Sequence, residues 1–510
     1  MTFNQTLKNK WTQFFLVTLI SFISIFGINR LNIKSSIEGG AKLRLETTVK
    51  TADDVSYLLP AKNYLNNTGW NDGTLGIQSN YMRSPGYGVF CLPFFAIFKE
   101  ATALSLIRTT QCISMALVAG TLFMLLLHWG FPKQLAFVSS AFLGIVPSFS
   151  GYVFYTLTEG ISPALIFLLF ALYAFSRQKN HRAEKRGTTL IFLFACVVFG
   201  FLFITRPVYG TFALLLLSIF FKIKAPLVRK ALLSILGLIL AFGPTVLWEH
   251  RNLKLGKEIT GISTFYEIYS PSNNSIWRAP HQSIYELVKL FSISGQDYHE
   301  WSKKHETAAQ LNHEWEDIQF PLSIFDDNSI ALIGQDTLTK YVHIYQQSIS
   351  EIAVYAAQNK YSAKEELVAQ KFDEFTRQYK EEHTFRSWVI TPLKVLKSIV
   401  WQSHLNLFLF WNTYGQSSWI KLFSLFTSLL NFAIYFLPFC YLLVNPKTIR
   451  KHLWLILSIS LNIAYLIFVQ RGLEQRYYSP LLPVLFACSL WIFYRALLSV
   501  RKIIQRQKFP

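Results

Sequence analysis

Nine of the chain's 29 acidic residues lie outside the stretch 249–382, and three of their settings could support chemistry. Asp53 and Asp54 stand side by side at the head of 53–66, a stretch whose pattern predicts a helix. Glu159 is isolated between Leu157 and Ile161, where an apolar run begins, and Glu474 stands two residues before Arg476. An aspartate at a helix start commonly caps it by accepting orphan backbone amides. It can instead act as a general base if it stays ionised and positioned at a protected surface. A carboxylate at an apolar helix mouth is costly without a partner, and arginines such as Arg206 and Arg476 either snorkel to the interface or serve an anion. The six histidines between His281 and His383 have no metal-ligand spacing and read as solvated or packing residues. The five cysteines sit in or beside apolar runs without paired spacing, which is the pattern of small packing residues.

These groups need elements to hold them, and composition says which kind. The chain is 52% hydrophobic, 16% aromatic and 15% charged, more apolar surface than one soluble core can hide. We therefore expect an all-α polytopic membrane protein of about ten to twelve transmembrane helices. The net charge of +20 is unevenly spread, because 20 of the 29 acids lie in 249–382. That asymmetry fits short basic cytoplasmic loops and a mixed external domain, and it argues against nucleic acid as a partner.

Ten segments are apolar enough to span: 12–28, 101–128, 134–150, 157–176, 188–205, 207–222, 229–248, 420–443, 452–470 and 479–498. Basic residues cluster in 177–186, 222–230, 447–451 and 495–508, which places those loops and both termini in the cytoplasm. Alternation then puts Glu38, Glu46, Asp53, Asp54, Asp72, Glu100, Glu159 and Glu474 outside, together with Arg206 and the long segment 249–392. Residues 395–411 are hydrophobic but carry Lys397, Gln402, Ser403 and His404, and a full span there would invert the basic tail. They read as an interfacial amphipathic helix, with a re-entrant hairpin as the alternative. The first apolar segment has no small-residue cleavage site after it and is expected to remain as a helix.

The division is an N-terminal membrane module, 1–248, with seven spans and a first external loop, 29–100. An external subdomain, 249–413, follows and ends in the interfacial helix; a three-span module, 414–510, completes the chain. Within the subdomain 336–359 and 362–383 look helical, the second opening on a Ser362/Glu365 capping box.

The local motifs add a resemblance. Asp53-Asp54 with Tyr57, then Arg83-Ser84-Pro85-Gly86-Tyr87 leading into an apolar run, resembles the first external loop of the GT-C membrane glycosyltransferases. That superfamily includes the protein O-mannosyltransferases and the aminoarabinose transferase of lipid A. Its acidic pair is usually Asp-Glu followed by an aromatic, and Asp54 here replaces the Glu. Thr158-Glu159, Thr205-Arg206-Pro207, Trp248-Glu249-His250-Arg251-Asn252 and Glu474-Gln475-Arg476-Tyr477 resemble further family positions in the same order.

The resemblance implies the GT-C type of fold and transfer of a sugar, with inversion, from a polyprenyl-phosphate donor to an envelope glycan, lipid or protein. Asp53 would be the base, with Asp54 and Glu159 the further acidic positions. Arg83, Arg206 and Arg476 would bind the donor phosphate, Arg476 foremost. Glu159 would orient the acceptor, pair with an arginine or bind a divalent metal, which some members use and others do not; no metal site is assigned. Surrounding membrane lipid completes the set of partners. Two other classes share the polytopic form: a transporter or flippase of lipid-linked glycans, and an O-antigen polymerase or ligase. The absence of an inverted repeat and the placing of the singular charges on one face weigh against the first. The early acidic-pair loop weighs against the second.

Overall fold

The computed structural model describes residues 9–38, 43–45, 47–49, 51, 53–72, 83–177, 184–255, 267–270, 275–278, 280–291, 322–357, 363–405, 417–471 and 477–507. The membrane elements of the first half are α1 (Lys10–Glu38), α4 (Glu100–His128), α5 (Lys133–Ile145), α6 (Pro147–Ser150), α7 (Ser162–Ser176), α8 (Glu184–Thr205), α9 (Ala213–Phe220) and α10 (Leu227–Lys254). Between α1 and α4 come a two-stranded ladder, β1 (Leu43–Arg44) with β2 (Thr48–Val49), and the helices α2 (Asp54–Leu65) and α3 (Gly86–Ile97). A second short ladder pairs β3 (Glu267–Ser270) with β4 (Ser275–Arg278), ahead of α11 (Pro280–Val288), α12 (Asp327–Ile333), α13 (Gln335–Ala357), α14 (Ala363–Glu382) and α15 (Thr391–Val400). The chain ends with α16 (Ser418–Val444), α17 (Pro446–Ala464) and α18 (Leu482–Gln507).

Seven of these helices, with the π turn after α17 and the 3-10 turn before α18 included, are long and apolar enough to cross a membrane. They are α1, α4, α8, α10, α16, α17 and α18. The chain is thus a multi-pass helical membrane protein. The other apolar segments are helical but interrupted. α5 continues through Pro147–Phe154 across a 62° bend, at Val146, which is extended ahead of a proline that has no amide to donate. α7 begins only at Ser162, after an irregular stretch that contains Glu159, and α9 is preceded by a 3-10 turn, Pro207–Phe212. Non-helical backbone survives beside lipid only when protein buries it, and Thr158, Glu159, Gly160 and Tyr209 are all buried.

Side-chain contacts sort the loops onto two opposite faces. On one, Arg177 Nη2 donates to the Lys451 carbonyl at 2.7 Å, Tyr494 donates to the Gly130 carbonyl at 2.9 Å, and Phe221 stacks on Trp454. On the other, Tyr209 donates to the Tyr477 carbonyl at 3.1 Å, Arg251 Nη2 to the Trp70 carbonyl at 2.8 Å, and Lys289 Nζ to the Gln470 carbonyl at 3.1 Å. Both ends of α17 take part, one on each face. The largest core packs α4, α7, α8 and α18 around Phe123, Phe167, Phe170 and Phe199, all essentially inaccessible. Because lipid tails are as apolar as the core, close packing rather than expulsion of water from greasy surface holds such helices together.

The subdomain between α10 and α16 has its own core, in which Ile284, Leu287, Leu338, Val368 and Phe372 are buried. Asp326 organises it. Its Oδ1 accepts from the Ser329 amide at 3.0 Å to cap α12, its Oδ2 accepts from Tyr379 at 3.1 Å, and Arg386 pairs with it at 2.9 Å. Burial, with the Asp326 carboxylate beside it, pushes the Tyr379 phenol well above its ordinary range. The expected helices 336–359 and 362–383 are α13 and α14; Ser362 of the expected capping box lies outside the described residues.

The stretch 395–411 is not one continuous helix. Asn431 Nδ2 donates to the carbonyls of Ile399 and Val400 at 2.9 and 2.8 Å, which satisfies the end of α15. The chain then turns through His404, which has φ +58° and is fully buried, while Ser148 donates to the Ser403 carbonyl at 3.0 Å. Residues 406–411 lie outside the described residues.

Candidate active site

The aspartate pair opens α2, but Asp53 does not cap it. Its own backbone is helical and its side chain makes no capping hydrogen bond. The Thr51 hydroxyl takes that role by accepting from the Asp54 amide at 3.1 Å. The Asp53 carboxylate instead accepts from Arg83 Nη2 at 2.7 Å. Arg83 Nε donates to Ser56 Oγ at 3.0 Å, Ser56 donates to the Asp53 carbonyl at 2.7 Å, and the guanidinium lies 4.9 Å over the Tyr57 ring. Asp53 and Tyr57 are one helical turn apart, so both face the same arginine. The Asp53 and Arg83 side chains remain 27% and 19% exposed, open to a ligand as well as to each other.

Asp54 points the other way. It is fully buried and accepts from Thr156 Oγ1 at 3.3 Å. Three residues beyond Thr156, Glu159 accepts a charge-assisted bond from Arg206 Nη1, which also donates to Thr158 Oγ1 at 2.7 Å. Thr158 in turn donates to Glu159 Oε2 at 2.8 Å. Glu159 is 1% exposed and Arg206 8%, and Tyr477 covers the guanidinium at 4.5 Å. Of the roles expected for Glu159, pairing with an arginine is the one the structure displays.

The open pair and the closed pair are brought together by α3. A Cβ on Gly86, at the start of α3 and three residues after Arg83, would come within 2.6 Å of the Thr205 Cα, the neighbour of Arg206. Only a residue without a side chain allows that approach. Gln111 in α4 locks the arrangement from behind. Its Oε1 accepts from Tyr87 at 2.8 Å, and its Nε2 donates to the Val153 and Tyr155 carbonyls, both at 3.0 Å. Arg251, from the motif at the end of α10, holds the first loop through the Trp70 carbonyl and lies 4.5 Å over Trp248.

Five of the six expected site residues, Asp53, Asp54, Glu159, Arg83 and Arg206, therefore meet on one face. Arg476, with Glu474, lies outside the described residues; Tyr477 beside it is within them. Among the described residues no group of three His, Cys, Asp or Glu side chains could hold a metal ion. Sequence reading passed over Ser56, Thr156, Gln111 and Arg108. Arg108 is 3% exposed and donates to the Thr47 carbonyl at 2.7 Å, which anchors the first loop to α4. Arg108 and Gln111 are three residues apart on one helix face and are large polar side chains of the span 101–128, and that was the available signal.

Chemically, this cluster offers the accessible Asp53 carboxylate held by the accessible Arg83 guanidinium, above a buried ion pair that fixes the surrounding backbone. Comparison of the chain with family models, curated proteins and solved structures returns no match.

Proposed function

We propose that this chain is an integral membrane glycosyltransferase of GT-C type that moves a sugar from a polyprenyl-phosphate donor to an envelope glycan, lipid or protein. In this reading all ten apolar segments cross or enter the bilayer. The basic face, with Arg177 and Lys451, is cytoplasmic, and the Asp53 face lies outside an inner or plasma membrane.

The observation that carries the reading is the Asp53–Arg83 pair, an acid and a cation both reachable by a substrate. Asp53 removes the proton of the acceptor hydroxyl or amine as that group attacks the anomeric carbon. The bond from the anomeric carbon to the phosphate oxygen breaks, and polyprenyl phosphate leaves with the electron pair. Arg83 stabilises the charge growing on the phosphate, for which a bidentate guanidinium is suited. Arg206 is already held by Glu159 and Thr158, so its role in this reading is to position the site rather than to receive the phosphate first. Asp54, buried against Thr156, likewise positions α2.

The test is mass spectrometry of envelope lipids and glycans from cells lacking the chain. Loss of one glycan together with accumulation of a polyprenyl-phosphate sugar supports the reading. An unchanged glycan profile overturns it.

A further inference from the structure

On the Asp53 face, the π turn Arg386–Ile390 and α15 on one side, and the π turn Tyr465–Gln470 that ends α17 on the other, line an open apolar groove of about 260 Å³. Its walls include Trp388, Val389, Leu393, Leu396, Ile467 and Phe468. Phe468 and Val469, at the end of a candidate span, are 42% and 57% exposed, so the groove opens where that span leaves the bilayer. α15 lies across this point with Val395 and Ile399 fully buried against Leu466 and Tyr478. Its other side is mixed: Leu393 and Trp401 are 57% and 46% exposed, and Lys394 and Lys397 are exposed beside them. Four positions apart, Leu393 and Lys397 are surface neighbours, which sets a cation at the rim of the apolar groove. A helix with this division lies in the interfacial plane. Arg471 adds a second cationic feature. It is 3% exposed, its guanidinium lies 5.3 Å over the Trp388 ring, and its Nη1 has no hydrogen-bond partner among the described residues.

We infer that this groove binds one anionic phospholipid of the surrounding bilayer, its acyl chain in the groove and its phosphate at Lys394 and Lys397. The occupant follows from the two halves of the site. Membrane continuity at Phe468 supplies alkyl chains, the apolar walls accept one, and the lysines select the negative headgroup. Bound in this way, the lipid ties the subdomain core to the membrane through α15, independently of sugar transfer.

The experiment uses the full-length protein in nanodiscs containing phosphatidylglycerol or phosphatidylcholine with a photoreactive acyl chain, followed by peptide mapping of the cross-links. Phosphatidylglycerol is expected to label 388–396 and 467–468 on the order of tenfold more than phosphatidylcholine. Lys394→Gln with Lys397→Gln should abolish that preference while leaving the thermal midpoint unchanged. Equal labelling by the two lipids, or a preference that survives the lysine substitutions, overturns the inference. So does displacement of the label by added polyprenyl phosphate, which would assign the groove to an isoprenoid chain.

Discussion

Arg83 donates to Asp53 at 2.7 Å across thirty residues of chain, and both side chains stay partly open to solvent. The pair joins the chain just ahead of α3 to the head of α2, so the carboxylate is oriented by the protein's own side chains. Under the proposed reaction, removing the cation should cost positioning and charge stabilisation together. Arg83→Ala is expected to lower sugar transfer by about 100-fold, with Arg83→Lys recovering only part because an ammonium lacks the planar fork. Transfer rates at matched protein level, with thermal midpoints alongside, check this; wild-type activity in Arg83→Ala would remove it from the site.

The closed pair behaves differently. Glu159 and Arg206 are buried together, so deleting one partner strands the other charge at a cost of about 3–5 kcal/mol. Glu159→Gln and Arg206→Met should each lower the thermal midpoint strongly, and the double variant should recover much of the loss. Thermal unfolding in detergent measures the cycle, and strictly additive losses would mean that the two residues do not stabilise each other.

Gly86 is where the two halves touch. Adding a methyl group places it 2.6 Å from the Thr205 Cα, which is backbone and cannot swing aside. Gly86→Ala is therefore expected to destabilise by about 1–3 kcal/mol and to depress transfer. Gly69→Ala has open space for the Cβ but a φ of +85°, so it should report backbone strain without disturbing this contact. A Gly86→Ala protein as stable and active as wild type would argue against the close approach of α3 to Arg206.

The two faces make a labelling prediction. Asn66→Cys and Lys447→Cys, both exposed, should react with an impermeant thiol reagent from opposite sides, the first in intact cells and the second only after permeabilisation. Reaction of both from the same side would break the assignment of faces.

Much of the helical framework was legible because membrane spans advertise themselves locally: α4, α8 and α18 fall on their apolar runs. The shortfall occurs where the site interrupts helices. Pro163, in the first turn of α7, is the local sign that the helix starts at Ser162 rather than at Leu157, but hydrophobicity alone passes over it, and the irregular turn before it is stabilised by Arg206 and Gln111, distant in sequence. Asp53 could equally have been a cap from sequence; Thr51, which relieves it of that task, is an ordinary residue until the fold is known. The end of α15 depends on Asn431, about thirty residues later, so hydrophobicity alone carried 395–411 too far.

The most direct measurement is the glycan and lipid profile of cells lacking the chain and complemented with wild type or with Asp53→Asn at equal membrane abundance. Asparagine keeps the shape of the side chain and can still accept from Arg83, but it cannot take the acceptor's proton. The account predicts normal abundance and thermal midpoint, no transfer to the acceptor, and accumulation of the polyprenyl-phosphate sugar. A wild-type glycan profile from Asp53→Asn would contradict it.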